Sequence, residues 1–155
     1  MSEETGESLP YQFTDSVPYL LNRLGVRLGE RFAVQLKDHG LTLPMYRVLA
    51  ALREQGDQRL GDLAVKTSIE KSTLSRLIST MRSDGLVSRE RPEDQGRIVA
   101  INLTAKGLAV VEPLIPVADT YERAATAGMS AKEVVRFKEI LRTMYDNLGG
   151  PDEER

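Results

Sequence analysis

The sequence predicts a mainly α-helical chain carrying one small β-hairpin. Three observations carry that expectation. Apolar residues recur at helical spacing over most of the 155 residues. One stretch alone, Leu86 to Leu103, alternates like paired strands around a turn-forming tip, Pro92-Glu93-Asp94-Gln95-Gly96. Helix-starting and helix-stopping residues bracket each apolar run.

Residues 1–10 are acidic and polar and read as a disordered tail, unlike a secretory leader. Asp15 or Ser16 starts a first helix, with Pro18 in the first turn, where its missing N–H does no harm. Val17, Leu20, Leu21, Leu24, Leu28, Phe32 and Leu36 follow at helical spacing, and Gly40 stops the run. Thr42 caps a second helix that carries Tyr46, Val48, Leu49 and Leu52 and ends at Gly56. A short helix is expected over about 60–67, and another over about 71–84, ending at Gly85. Leu86 to Arg89 is the outgoing strand and Ile98 to Leu103 the return strand. Thr104 caps a helix containing Leu108, Val111 and Leu114, which Pro113 and Pro116 kink or interrupt. Ser130-Ala131-Lys132-Glu133 is a capping box opening the last helix, with Val134, Phe137, Leu141, Met144 and Leu148 on one face. Residues 149–155 form an acidic tail.

Helix, tight turn and helix followed by a hairpin is the arrangement of a winged helix-turn-helix, which places one helix in a DNA major groove. On a helical wheel of residues 71–84, Leu74, Leu77, Ile78 and Met81 share one arc. The opposite arc holds Ser72, Arg76, Ser79 and Ser83, flanked by Thr73, Ser75 and Thr80. Hydroxyls and one arginine suit base edges and phosphates, and nothing bulky blocks close approach to a groove. The DNA-contacting candidates are therefore Lys71, Ser72, Thr73, Ser75, Arg76 and Ser79, with Arg76 as base reader and Arg97 of the hairpin reaching into a minor groove. The competing reading of the helix is a solvated polar face. For Arg97 it is pairing with Asp94 or Glu93 at the tip.

These pieces together resemble the MarR-type winged helix-turn-helix transcriptional regulators. The resemblance rests on Gly40-Leu41-Thr42-Leu43-Pro44-Met45-Tyr46-Arg47-Val48-Leu49, on Leu63-Ala64 through Ser72-Thr73-Leu74-Ser75-Arg76-Leu77, on Asp84-Gly85-Leu86-Val87, and on Arg97 followed by Leu103-Thr104-Ala105-Lys106-Gly107. It implies a single domain over 11–148, with the winged helix-turn-helix at about 42–103 and dimerisation helices at about 15–39 and 105–148. Two positions depart from the family pattern. Gln95 stands where an aspartate two residues before the wing arginine is usual, Asp94 lying one residue earlier. Glu70 stands where the family often has Ser or Thr, just before the reading helix. A carboxylate there suits a helix N-terminus but repels phosphate, and pairing with Lys71 or Arg76 is the expected outlet.

The resemblance further implies a homodimer on a pseudo-palindromic double-stranded DNA operator, its reading helices ~34 Å apart. The wide apolar arc of the last helix fits that, although it also fits closure of the chain's own core. It implies a small anionic, often aromatic, effector held between the dimerisation helices and the winged domain. Arg23 and Arg27 are candidates for its carboxylate, and His39 and Tyr46 are further candidates, Tyr46 for stacking. Solvated helix positions for the arginines and a polar helix end for His39 are the simpler alternatives. The function expected is a repressor released from its operator by that effector, the alternative being a winged-helix protein–protein module without one.

Composition narrows the classes. The chain has no cysteine and one histidine, so thiol chemistry, disulfides and histidine-rich metal sites are excluded. No Gly-rich phosphate loop or HExxH motif occurs, so neither an enzyme nor a cofactor is expected. No transmembrane run is present, and the cytoplasm is the expected location. The net charge of −2 provides no bulk attraction to DNA. Residues 59–97, however, hold eight Lys/Arg against six Asp/Glu, so the basic groups must be placed on one face.

Overall fold

The computed structural model describes residues 10–90 and 99–149. A short 3₁₀ turn at Phe13–Asp15 leads into α1 (Val17–Lys37) and α2 (Leu43–Gln55), then strand β1 (Gln58–Arg59). The helix-turn-helix is α3 (Leu60–Thr67) and α4 (Lys71–Ser83). Strands β2 (Val87–Glu90) and β3 (Ala100–Leu103) follow, then α5 (Ala105–Val111), α6 (Leu114–Ala125) and α7 (Ala131–Asn147).

The helix starts are where hydroxyl caps place them. Ser16, Thr42, Thr104 and Ser130 each accept from a backbone N–H in the first turn, and Glu133 completes the capping box. The helix expected after Thr104 is interrupted at Glu112-Pro113, giving two helices, while Pro116 lies within the second. The expected two-stranded hairpin belongs to a three-stranded antiparallel sheet of order β1-β3-β2. Gln58 and Arg59 pair with Ile101 and Ala100, and the Gln58 amide donates to the Ala51 carbonyl (3.1 Å), tying β1 to α2.

The core sits under the helix-turn-helix. Leu36, Val48, Leu49, Leu63, Leu74, Ile78, Met81 and Val111 are completely buried there. Ser68 takes the left-handed turn between α3 and α4 (φ 53°), and Thr67 Oγ1 donates to the Leu63 carbonyl (2.7 Å). Gly85 (φ 74°) turns the chain from α4 into β2. Gly107 permits a close approach: a Cβ there would lie 2.1 Å from the Leu86 carbonyl oxygen. This junction fastens α5 to the wing.

The two ends of the chain differ from the middle. Of the dimerisation helices expected from the sequence, α7 has no buried residue, and Val135, Ile140 and Tyr145 are exposed. Val17, Leu20, Leu21, Leu24 and Val26 on α1 are exposed too. No helix among the described residues is long and apolar enough to cross a membrane.

Candidate nucleic-acid interface and effector cleft

α4 is fixed by its apolar arc. Leu74, Ile78 and Met81 are wholly buried and Leu77 packs against them, so the helix cannot roll without opening the core. The opposite face is presented outward. Lys71, Ser72, Thr73, Arg76 and Ser79 are exposed and Ser75 is half-buried. Ser79, Thr80 and Ser83 each donate to the carbonyl four residues back (3.1, 3.3 and 3.2 Å), which satisfies their protons along the helix. A groove between α4 and the wing is lined by Ser79, Arg82, Ser83, Val87, Ser88 and Arg89. Arg82 and Arg89 put two cations beside the reading face, which the wheel alone did not single out. Arg97 and the wing tip lie outside the described residues.

Glu70 sits at the helix N-terminus, as its charge suits, but with other partners than the expected Lys71 or Arg76. It is the N-cap of α4, and its carboxylate accepts from the Ser72 and Thr73 backbone N–H groups (3.0 Å each). The Ser72 hydroxyl and the Thr73 hydroxyl (3.2 Å) also donate to it. Pairing with Lys71 or Arg76 is not among the described ion pairs. The Ser72 hydroxyl and the two backbone N–H groups hold the Glu70 carboxyl down at about 2, against an ordinary 4.5.

A cleft of about 620 Å³ opens between α1, α2, α6 and α7. Its walls are apolar, with Leu24, Leu28 and Phe32 from α1, Leu43 and Tyr46 from α2, Tyr121 from α6, and Phe137 and Leu141 from α7. Phe32 meets Tyr46 and Tyr121 edge-on, with ring centroids 4.6 and 5.9 Å away. Burial pushes the Tyr46 phenol up, against the pull of Arg53, so it stays a protonated donor. The rim carries Arg47, Glu122 and Lys138, the last two paired at 2.5 Å. An apolar, aromatic-walled cleft with cations at its rim suits a flat anionic guest.

The structure brings one of the four effector candidates into this cleft, Tyr46. Arg23 and Arg27 line a different groove, along α1 with Tyr19, Asn22 and Glu30. Arg23 donates to the Tyr19 hydroxyl (2.9 Å) and lies over its ring. His39 is exposed in the turn after α1. Arg47 and Lys138, which the sequence reading did not name, are the cations at the cleft. The one available signal was Arg47 standing next to Tyr46 on α2.

Among the described residues no group of three His, Asp or Glu is placed to hold a metal ion. A helix-turn-helix backed by a wing and a buried core, with its second helix presenting hydroxyls and arginine outward, defines a winged helix-turn-helix DNA-binding protein. Comparison with known proteins gives the family. A family model described as MarR family matches residues 39–98. The chain is 31% identical to a structure of Bordetella bronchiseptica BpsR, concerned with regulation of its DNA binding by 6-hydroxynicotinic acid (TM-score 0.77; 89% of this chain and 99% of that one covered). It is 30% identical to a MarR family transcriptional regulator from Silicibacter pomeroyi (TM-score 0.79; 88% and 92% covered). It is also 27% identical over 141 residues to the HTH-type transcriptional repressor NicR of Pseudomonas putida (91% of this chain, 89% of that protein). The chain belongs to the MarR family, whose members are DNA-binding transcriptional regulators, not enzymes.

Proposed function

We propose that the protein is a homodimeric repressor that binds a pseudo-palindromic operator through α4 and is released by a small aromatic anion. The observation that carries it is the outward face of α4, with Ser72, Thr73, Ser75, Arg76 and Ser79 on a helix locked by Leu74, Ile78 and Met81. Arg76 reads a base edge, Lys71, Arg82 and Arg89 meet phosphates, and Arg97 enters the minor groove. The exposed apolar residues of α1 and α7 meet those of a second copy, since no residue of α7 is fully buried within one chain and Val135, Ile140 and Tyr145 are exposed. Such a protein works where the DNA is, in the cytoplasm.

The effector occupies the cleft beside Tyr46, its ring against Phe32, Tyr46 and Tyr121 and its carboxylate toward Arg47 and Lys138. The NicR relative favours a repressor, and BpsR, whose DNA binding is regulated by 6-hydroxynicotinic acid, favours a hydroxylated aromatic acid. Because the cleft joins α2 to α6 and α7, filling it changes the angle between winged domain and dimer helices. A switch of this kind requires several kcal/mol of differential affinity.

The test is selection of genomic fragments by the purified protein, followed by binding measured against salt and against 6-hydroxynicotinate. A single enriched palindrome, bound with a salt slope of about −0.9 per phosphate contacted and released by an aromatic acid, is expected. Enrichment of no sequence overturns the DNA assignment. Binding indifferent to every aromatic acid tried overturns the effector assignment.

A further inference from the structure

The carboxylate of Glu70 takes the backbone and hydroxyl donors of Ser72 and Thr73 at the start of α4. One oxygen accepts from Ser72 N (3.0 Å), and the other accepts from Thr73 N (3.0 Å), from the Ser72 hydroxyl and from the Thr73 hydroxyl (3.2 Å). A hydroxyl has one proton and two acceptor lone pairs. With both protons turned back to Glu70, Ser72 and Thr73 show the solvent acceptors alone. In the major groove the donors are the amino groups of adenine N6 and cytosine N4, while guanine N7 and O6, adenine N7 and thymine O4 accept. The backbone N–H groups that would hold a phosphate at a helix N-terminus are occupied as well.

Resting on the reading of α4 as the DNA-reading helix, we infer that Glu70 is a positioning residue for sequence specificity. It holds the Ser72 and Thr73 hydroxyls as acceptors for adenine or cytosine amino groups, and it turns guanine O6, thymine O4 and phosphate away from those two residues, leaving phosphate contact at that end of the helix to the Lys71 ammonium. Ser or Thr in its place would cap the helix without taking both protons. Its own lone pairs would be shared between the N–H groups, and the reading hydroxyls would be free to donate or accept. The substitution of a carboxylate for a hydroxyl cap therefore changes what is read, not whether the helix forms.

The experiment selects duplexes from a randomised DNA library with wild type, Glu70→Ser, the Ser72→Ala/Thr73→Val double variant, and the triple variant. Helix content and dimer mass are recorded for each. Wild type is expected to prefer A or C by about fivefold, the value of one hydrogen bond, at the positions facing the start of α4. Glu70→Ser is expected to bring that preference within about twofold and to steepen the salt slope by about 0.9, as one phosphate becomes acceptable. In the double-variant background, Glu70→Ser is expected to alter base preference no further. An enriched palindrome with the same preferences in wild type and Glu70→Ser overturns this inference alone, as does a further change in the triple variant. No enriched sequence for wild type overturns the DNA-reading assignment and this inference with it.

Discussion

Gly107→Ala is the substitution whose cost the geometry states most directly. A Cβ at Gly107 would sit 2.1 Å from the Leu86 carbonyl oxygen and 2.8 Å from a Leu103 methyl. Carbon and oxygen tolerate about 3.3 Å, so the backbone must retreat by roughly 1 Å. The same oxygen accepts from Thr104 N (3.2 Å) and shares the Thr104 hydroxyl proton (3.0 Å) with the Gly85 carbonyl (2.7 Å), so retreat strains the bonds that fasten the start of α5 to the wing. Overpacking costs about 1–3 kcal/mol. Weakening two hydrogen bonds adds about 1 kcal/mol each. The better helix propensity of alanine returns about 1 kcal/mol. The net of about 2–4 kcal/mol corresponds to a fall in Tm of roughly 5–15 °C for a chain of this size. Circular dichroism melting at fixed protein concentration reads it, because dimer dissociation makes Tm concentration-dependent. A Tm unchanged within about 1 °C, or raised, would refute the close-approach argument.

Arg47→Ala should abolish release by 6-hydroxynicotinate while leaving operator affinity within about twofold, since an intact DNA face leaves no difference to detect. An unchanged release curve removes Arg47 from the effector site. Ile140→Asp should convert the dimer to monomer by light scattering and remove operator binding, because it places a charge in the apolar face of α7. A stable dimer would show that this face pairs with nothing. Glu70 carries a pH signature. Its carboxyl is held at about 2 rather than 4.5, so its contribution to stability is present above 4.5 and is lost as pH falls from 4.5 toward 2. The Tm difference between wild type and Glu70→Gln should therefore shrink across that window, and a constant difference contradicts the capping role. Arg97→Ala should weaken binding without changing sequence preference, a prediction that a shifted preference in the selected sites would refute.

The parts of the fold legible in the sequence were those set by local chemistry. Ser16, Thr42, Thr104 and Ser130 mark helix starts because a hydroxyl cap answers to residues within one turn of it. The buried arc of α4 was legible because Leu74, Ile78 and Met81 repeat at the helical period. Strand β1 was not, since two residues leave no period and Gln58 owes its place to Ile101 and Ala51, far off in sequence or in another element. The cleft was half legible. Tyr46 was named from its type and place, whereas the choice of cation depended on which way α1 turns. Arg23 and Arg27 fall off the face that carries Leu24, Leu28 and Phe32, and a helix wheel does not say which face its neighbours cover. The place of Glu70 at the start of α4 was legible from its charge, but its partners were not. Opposite charge suggested Lys71 or Arg76, while the nearest donors were two N–H groups and two hydroxyls at the helix start.

The central claim is that α4 reads DNA sequence, and Arg76→Ala tests it most directly. The measurement is affinity for the selected operator and for a scrambled duplex, with wild type and the variant at one salt concentration. Wild type should prefer the operator by at least about 10³-fold. The variant, still dimeric, should lose about 1–3 kcal/mol of that discrimination at each half-site while its affinity for scrambled DNA changes far less. A variant that discriminates as well as wild type would contradict the account.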